Sequence, residues 1–428
     1  MSGRDCTPSA RWGFWMLMVL LAGAASPLSA MPPMSDGADV PGSSDPAVSD
    51  PGGPPPPYVT VISSGPSSNR VDVVFLGDGY TASEIDTTYA QHVSNTANYM
   101  FGQSQQPFAL YHNFFNVHRV TVVSNESGAD IPPEGIYRDT ALDASYFYDG
   151  STDRLLYINT SKANSAMSAG LAGAGFTAEM RLVTVNHTRY GGGGGAYAVF
   201  AGGNSWATEI ALHELGHSFG GLADEYDYSG GAKYTGSEPG QPNVTTSPTG
   251  NKWARWLGYV DPDHPEMGAI GAYEGAMYHT YGIYRPSQNS KMRNLGPPFD
   301  AVGREQLILG MYNYVYPLDA WLGTAGTLTD PASLWVDTVD PAIIHVDWYV
   351  DGSPVAVNGG EAFSLQSHGY GPGTYDVRSH AYDATGWVRL ETTLTWADVN
   401  WTVMLTPEPA TLALLAFGGL GLLWRRAR

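Results

Sequence analysis

Apolar and polar positions alternate along the first half of the chain in a way that predicts strands separated by helices. Strand-like apolar patterns occur in the segments 58–65, 69–81, 114–124, 153–160 and 180–187. Between the second and third segments, apolar positions recur at helical spacing at Ile85, Tyr89, His92 or Val93, and Ala97. Strands that alternate with helices are typical of an α/β layer.

The pattern changes near residue 320. From there to residue 406, short alternating strands follow one another at regular spacing, with turn sequences such as Asp351-Gly352 between them. This pattern predicts a small β-sandwich. A tryptophan in an early strand and the later strand "GTYDVRSHAYD" are similar to immunoglobulin-like sandwiches, although no cysteine pair accompanies them.

The N-terminus has the three parts of a secretory signal peptide. Two arginines precede an apolar run from Trp12 to Ala25, and small residues end the segment at Ala30. The apolar run is shorter than the ~20 residues of a transmembrane helix. The single cysteine, Cys6, lies in this segment, so cleavage after Ala30 leaves a chain without cysteine. The mature protein must therefore be stabilised by its core or by a bound metal, not by disulfides.

The two ends of the mature region also differ in composition from its centre. Residues 31–57 consist mainly of Pro, Gly, Ser and Asp and predict a linker without secondary structure. Residues 407–428 contain Pro-Glu-Pro, an apolar run and a terminal arginine cluster, in an order that resembles the bacterial PEP-CTERM sorting signal. This resemblance implies export across the inner membrane of a Gram-negative bacterium, transient association of the segment with that membrane, and processing by an exosortase.

The charge balance excludes one class of partner. Acidic residues outnumber basic ones by 41 to 21, which gives a formal net charge of −20. Nucleic-acid binding requires clustered Lys and Arg, so we expect no nucleic-acid partner. An acidic surface is instead consistent with a soluble exported protein.

The most informative motif is "HELGH" within the predicted helix 205–219. His213 and His217 are one turn apart, so their imidazoles project from one face at a spacing that can hold a single metal ion. Glu214 is rotated about 100° from His213, beside the metal, where a general base belongs. Two imidazoles with a carboxylate favour zinc, and we predict one catalytic Zn²⁺ ion.

The third protein ligand is less evident from the motif. In zincins of the metzincin type, a glycine turns the chain after the second histidine and the ligand follows three residues later. Gly220 fills the turning position, but the ligand position is Ala223, which cannot bind a metal. A second glycine, Gly221, can absorb one extra residue, so we predict Asp224 as the ligand, with Glu225 as the alternative.

Three further features lie near this motif in the chain. Met292, in the polar sequence "NSKMRN", is similar to the methionine of a metzincin Met-turn. Tyr284, Tyr281 and Tyr226 are candidates to hydrogen-bond the oxyanion, and Tyr284 is our choice because it is nearest to Met292 in sequence. The five glycines 191–195 lack the lysine of a phosphate-binding loop and predict a flexible or close-approach loop.

Several blocks in order resemble the IgA-peptidase-like family of zinc metallopeptidases. They are "FLGDGYTASEID", "PFALYHNFFNVHRV", "SNESGAD", "HELGHSFGGLADEYDY" and "YEGAMYHTYGIYRPSQNSKMRN", spread over residues 58–305. The resemblance implies a zincin-like α/β (α+β) domain with a central mixed sheet and an active-site helix. It also implies zinc-dependent hydrolysis of peptide bonds, with His213, His217 and one acid of the Asp-Glu-Tyr sequence as ligands and Glu214 as general base.

These observations define five segments and a function. The segments are a signal peptide (1–30), a linker (31–57), a zinc metallopeptidase domain (58–320), a β-sandwich domain (321–406) and a sorting segment (407–428). We expect an exported metalloendopeptidase of the cell envelope or the extracellular space that acts on a peptide or protein. Two alternatives stay open: a non-catalytic zinc-containing protein that binds a surface or matrix, and a zinc amidohydrolase of an envelope or exopolysaccharide amide.

Overall fold

The computed structural model describes residues 57–228 and 230–407. The predicted signal peptide, all but the last residue of the linker, and all but the first residue of the sorting segment lie outside these described residues. The described residues all belong to one compact unit, which includes the predicted domain boundary at residue 320. That boundary therefore stays a prediction.

The described residues form a mixed α/β structure with few helices and several sheets. The α-helices are α1 Ala90–Met100, α2 Thr160–Gly170, α3 Ala207–Ser218 and α4 Ala301–Tyr312. The strands are β1 Tyr58–Ile62, β2 Val71–Asp78, β3 Phe115–Val120, β4 Met180–Val185, β5 Gly192–Gly193, β6 Ala198–Ala201, β7 Tyr273–Ala276, β8 His279–Arg285, β9 Leu318–Trp321, β10 Thr327–Thr329, β11 Leu334–Thr338, β12 Ile344–Val350, β13 Ser353–Ala356, β14 Ala362–Phe363, β15 Gly373–Asp383 and β16 Trp396–Leu405. Shorter helical turns are Ser67–Asn69, Ile85–Tyr89, His112–Phe114, Pro132–Glu134, Asn251–Trp256 and Pro265–Met267.

A six-stranded sheet packs against helix α3, which contains the HELGH motif. Its strand order is β1-β3-β2-β4-β6-β5, with parallel pairing from β3 through β6 and antiparallel edges at β1 and β5. Every residue of β2 is buried, which explains its nearly continuous apolar sequence. Four of the five strand segments predicted from the sequence therefore occur, as β1 to β4.

The fifth predicted strand, residues 153–160, does not form. Leu155 and Tyr157 make only isolated bridges, with Gly192 and Ser145 respectively. Leu156 and Ile158 are buried in a hydrophobic cluster, so the apolar residues of this segment serve side-chain packing without a strand ladder. The chain then enters α2, where the Asn159 side chain caps the first turn.

The predicted helices occupy the expected positions. The π-helical turn Ile85–Tyr89 leads directly into α1. The core-facing positions are Ile85, Tyr89, Val93 and Ala97, all of which are buried, so Val93 and not His92 is the third of them. In α3, Leu212 and Leu215 are fully buried. The side chain of Asn204 accepts a hydrogen bond from the amide of Trp206 immediately before α3 begins.

The C-terminal strands form two further sheets. One has the order β10-β16-β15-β12-β13, and the other has the order β14-β11-β9. The indole of Trp348 stacks on Phe363 of the smaller sheet and on Trp401 of the larger one, with ring centroids 5.3 and 5.7 Å away. The immunoglobulin-like assignment of this region stays a prediction.

Side chains of the α/β region and of the C-terminal sheets meet at Asp383, the last residue of β15. The hydroxyls of Tyr111 and Tyr312 both donate to its Oδ2 atom, at 2.6 and 2.8 Å.

Among the helices in residues 57–228 and 230–407, none is long and apolar enough to cross a membrane.

Candidate metal centre

Helix α3 brings His213 and His217 together. Their rings lie 4.8 Å apart at 89° to each other, and the two Nε2 atoms are 3.2 Å apart. Both side chains are largely buried, with exposed fractions of 13% and 21%. The one-turn spacing of the motif thus produces a pair of converging nitrogen atoms, as the sequence predicts.

The other nitrogen of each ring is already used. His213 Nδ1 lies 2.9 Å from the carbonyl oxygen of Lys291, and His217 Nδ1 lies 2.7 Å from that of Leu222. A carbonyl only accepts, so each Nδ1 carries a proton, and Nε2 is the ring nitrogen that remains to bind a metal once it is deprotonated. This second hydrogen bond to a carbonyl is typical of histidines that bind metals.

The carboxylate of Asp224 completes this arrangement. Its Oδ1 atom lies 3.2 Å from both Nε2 atoms. That oxygen is buried and accepts no hydrogen bond from any described residue. Two Nε2 lone pairs and one unsatisfied carboxylate oxygen that point at one another fit a bound cation, and this donor set suits Zn²⁺.

Charge interactions inside the cluster are strong. Burial lowers the pKa of His217, but the Asp224 carboxylate outweighs burial and raises that pKa to about 9. Burial raises the pKa of Asp224, yet the two histidines hold it well below its ordinary value. Asp224 is therefore ionised over the whole physiological pH range, as a zinc ligand must be.

The turn after α3 determines which acid reaches the histidines. Gly221 has a φ of 60°, a left-handed conformation that glycine adopts without strain. The side chain of Asn243 then holds Ala223 through both its amide and its carbonyl, at 2.8 and 2.9 Å. With Ala223 fixed in this way, Asp224 is the residue that faces the histidines.

Glu225 points away from them, into a different set of partners. Its carboxylate accepts hydrogen bonds from Asn243 at 2.9 Å and from Ser290 at 2.6 Å. Burial, with a smaller contribution from Asp300, raises the pKa of Glu225 to about 8. The structure therefore brings Asp224, not the alternative Glu225, to the histidine pair.

The loop of Met292 packs beneath the helix. Met292 is buried. Its backbone is held in place because its carbonyl oxygen accepts a hydrogen bond from the amide of Glu225 at 2.8 Å. A β-carbon placed on Gly216 of α3 would lie 2.4 Å from Met292 Sδ. The glycine of HELGH thus allows the methionine to approach the helix between the two histidines.

A buried ion pair also joins this loop to α3. Lys291, whose carbonyl holds His213, is fully buried and its Nζ lies 2.6 Å from Glu209 Oε2. Glu209 accepts two more hydrogen bonds, from the amide of Gly296 at 2.8 Å and from the hydroxyl of Tyr99. The sequence analysis missed this pair, since nothing local links two residues 82 positions apart.

Glu214 lies beside the two histidines, against the glycine run. Its carboxylate is also within 4.8 Å of the imidazole nitrogens. β-Carbons placed on Gly192 and Gly194 would lie 2.9 and 3.0 Å from its two oxygens. Because side chains at these positions would collide with Glu214, the glycine run, which includes the edge strand β5, allows the backbone to approach Glu214 closely. Burial raises the pKa of Glu214, while the neighbouring histidines lower it, and the net shift is upward.

A tyrosine other than the predicted Tyr284 contacts Asp224. Tyr284 pairs with Glu274 in the β7–β8 hairpin and forms backbone hydrogen bonds with Thr245, at 2.8 and 3.0 Å. Among the described residues, Tyr278 donates its hydroxyl to Asp224 Oδ2, and Tyr226 packs against Tyr278 with ring centroids 5.2 Å apart. Tyr278 and Met277 have φ values of 68° and 47° at the tip of the β7–β8 hairpin, a strained conformation frequent at functional sites.

Comparison with known families gives two matches. Residues 59–266 match the family described as IgA Peptidase M64. The match includes His213, Glu214, His217 and Asp224 and ends before Met292. Residues 405–427 match the PEP-CTERM protein-sorting motif, which indicates an exported protein sorted to the cell envelope. A comparison with curated proteins gives no significant match.

The resemblance predicted from the sequence is therefore confirmed: this chain carries an IgA Peptidase M64 match over residues 59–266 and a PEP-CTERM protein-sorting motif over residues 405–427.

Proposed function

We propose that this protein is an exported zinc metalloendopeptidase. The observation that carries the proposal is the meeting of three donor atoms, Nε2 of His213, Nε2 of His217 and Oδ1 of Asp224, at mutual distances of 3.2 Å. The family match adds the expectation that the substrate is a peptide or protein.

In this proposal, His213, His217 and Asp224 hold one Zn²⁺ ion. When bound, zinc polarises a carbonyl group and lowers the pKa of water to about 7. Glu214 accepts the proton of the attacking water and later donates it to the leaving amine nitrogen. Its raised pKa supports both transfers, because the carboxyl group then takes up and releases a proton closer to neutral pH.

Two tyrosines have separate roles in the proposal. Tyr278 positions Asp224, since its hydroxyl donates to the oxygen that does not face the histidines. Tyr284 remains the donor that the sequence predicts for the oxyanion of the tetrahedral intermediate.

The sorting motif supports a route to the cell surface. We propose that an exosortase processes the C-terminal segment in a Gram-negative bacterium, after a transient association of that segment with the inner membrane. The segment after residue 407 lies outside the described residues, so this part rests on the motif.

Zinc analysis and peptide cleavage test the proposal together. We expect the purified protein to contain one zinc ion and to cleave members of a mixed peptide library. Glu214→Gln should keep zinc and lose activity by about 10²–10⁴-fold, the usual contribution of a general base. Asp224→Ala should lose zinc.

Glu225→Gln is the matched control for the ligand assignment, because it keeps a hydrogen-bonding side chain at the neighbouring position. It should retain zinc; loss of zinc from this variant but not from Asp224→Ala would transfer the ligand role to Glu225. Bound zinc without cleavage of any peptide would instead support the non-catalytic binding protein. Cleavage of an amide in an envelope polysaccharide, but of no peptide, would support the amidohydrolase.

A further inference from the structure

A single arginine stands beside the candidate metal centre without an acidic partner. Arg154 is partly buried, and no carboxylate of residues 57–228 and 230–407 lies within ion-pair distance of its guanidinium group. Its contact is instead a hydrogen bond from Nη2 to the hydroxyl of Tyr228, at 2.8 Å. Arg154 differs from the other cations that lack an ion pair among the described residues by its contact with the tyrosines beside the candidate metal centre.

Two chains of contacts connect Arg154 with the metal centre. Through the backbone, the Arg154 carbonyl accepts a hydrogen bond from Gly192 N at 3.1 Å, and Gly192 lies against the Glu214 carboxylate. Through the side chains, Tyr228 stacks on Tyr278 at 5.6 Å, and Tyr278 donates to Asp224. The guanidinium group is therefore linked to Asp224 through two tyrosines, and the backbone of Arg154 is linked to the glycine that lies against Glu214.

The charge of Arg154 also reaches a neighbouring tyrosine. Burial raises the pKa of Tyr190, and the charge of Arg154 opposes that rise. Tyr190 directly precedes the glycine run that contacts Glu214, so Arg154 and Tyr190 lie on the same side of the candidate site as that run.

The surface around Arg154 has the chemistry of a peptide-binding rim. Tyr190, Tyr228 and Tyr278 are 43%, 51% and 43% exposed, so part of each side chain is open to a ligand. Tyrosine rings contact peptide groups through apolar faces, while an arginine binds a carboxylate through two parallel hydrogen bonds. In this setting the missing partner of Arg154 is a negative group of the substrate.

We propose that Arg154 is a specificity-determining residue that binds a carboxylate of the peptide substrate close to the scissile bond. This inference rests on the proposed peptidase function. The carboxylate belongs either to an Asp or Glu side chain or to the C-terminus of the peptide. Tyr228 orients the guanidinium group through its hydrogen bond, and the net negative charge of the protein disfavours negative groups elsewhere.

Peptide series that differ in one carboxylate test this inference. The purified protein is given peptides that carry Glu or Gln at each position next to the cleaved bond, with either a free or an amidated C-terminus. We expect kcat/KM to be about 10- to 100-fold higher for peptides with the preferred carboxylate, mainly through KM. Dependence on Glu identifies a side chain as the ligand, and dependence on the free C-terminus identifies the terminal carboxylate.

Variants then attribute the preference to Arg154. Arg154→Gln should remove the preference, so that the Glu and Gln peptides give equal kcat/KM, and Arg154→Lys should restore part of the preference. Arg138→Gln is the control, since Arg138 is an exposed arginine that pairs with Glu126 away from the metal centre. It should leave the preference intact.

Three outcomes would overturn the inference. Equal kcat/KM for Glu and Gln peptides, with free or amidated ends, would do so while leaving the peptidase function in place. An equal loss of activity on all peptides in Arg154→Gln would assign Arg154 to the chemistry or to folding. Failure to cleave any peptide, with zinc bound, would refute the peptidase function itself.

Discussion

The buried pair of Lys291 and Glu209 offers a sharp test of how this protein holds its metal site. Lys291→Met keeps the length of the side chain but leaves the Glu209 carboxylate buried without its cation. Removal of one partner of a buried pair typically costs about 3–5 kcal/mol of folding free energy. The same substitution releases the loop whose Lys291 carbonyl fixes His213, and loss of such a supporting contact weakens metal binding by about 10- to 100-fold.

Thermal unfolding and zinc affinity measure the two effects separately. A loss of this size lowers Tm on the order of 10 °C in a domain of a few hundred residues. Lys162→Met is the matched control, because Lys162 pairs with Asp143 while both side chains are 49% exposed. Solvent screens an exposed pair, so this variant should unfold near the wild-type temperature.

A double variant completes the experiment. Glu209→Gln together with Lys291→Met removes the isolated buried charge and should recover part of the lost stability. Equal Tm values for Lys291→Met and Lys162→Met would refute the energetic argument. A lower Tm with unchanged zinc affinity would refute the coupling of the pair to His213.

Three further predictions follow from the structure. Gly194→Ala should lower kcat/KM by about 10²-fold and weaken zinc binding, because the new β-carbon would lie 2.9 Å from His217 Cβ and 3.0 Å from Glu214 Oε2 and would displace both side chains. Gly240→Ala, which meets no atom within 4 Å, should be neutral, and equal activity of the two variants would contradict the close-approach role of the glycine run. Arg70 outweighs the effect of burial and lowers the pKa of Asp319, so this pair should stabilise the fold above pH ~4 and lose that effect as the pH falls below this value. In thermal unfolding, Asp319→Asn should therefore cost little stability at low pH and more at neutral pH. A loss that does not change with pH would argue against the pair. Chelation of zinc should abolish activity and lower Tm, with both restored by added Zn²⁺; an unchanged Tm would show that zinc contributes nothing to stability.

The local parts of the site could be predicted from the sequence. The positions of His213 and His217 on one face follow from the 3.6-residue period of a helix, and the adjacent Glu214 follows from the same geometry. The strands β1 to β4 and helices α1 and α3 were predictable for a similar reason, since the period of apolar positions reports which face is buried. A segment such as 153–160 shows the limit of that signal, because burial alone does not require a strand ladder.

The tertiary structure decided the contacts between distant segments. Asp224, rather than Glu225, meets the histidines because Asn243 fixes Ala223 from 20 residues away and Ser290 takes the Glu225 carboxylate from 65 residues away. The approach of Tyr278 to Asp224 likewise depends on the path of the β7–β8 hairpin. A sequence specifies by itself what one helix turn brings together, whereas the choice between two neighbouring acids depends on which partners the whole fold places around each of them.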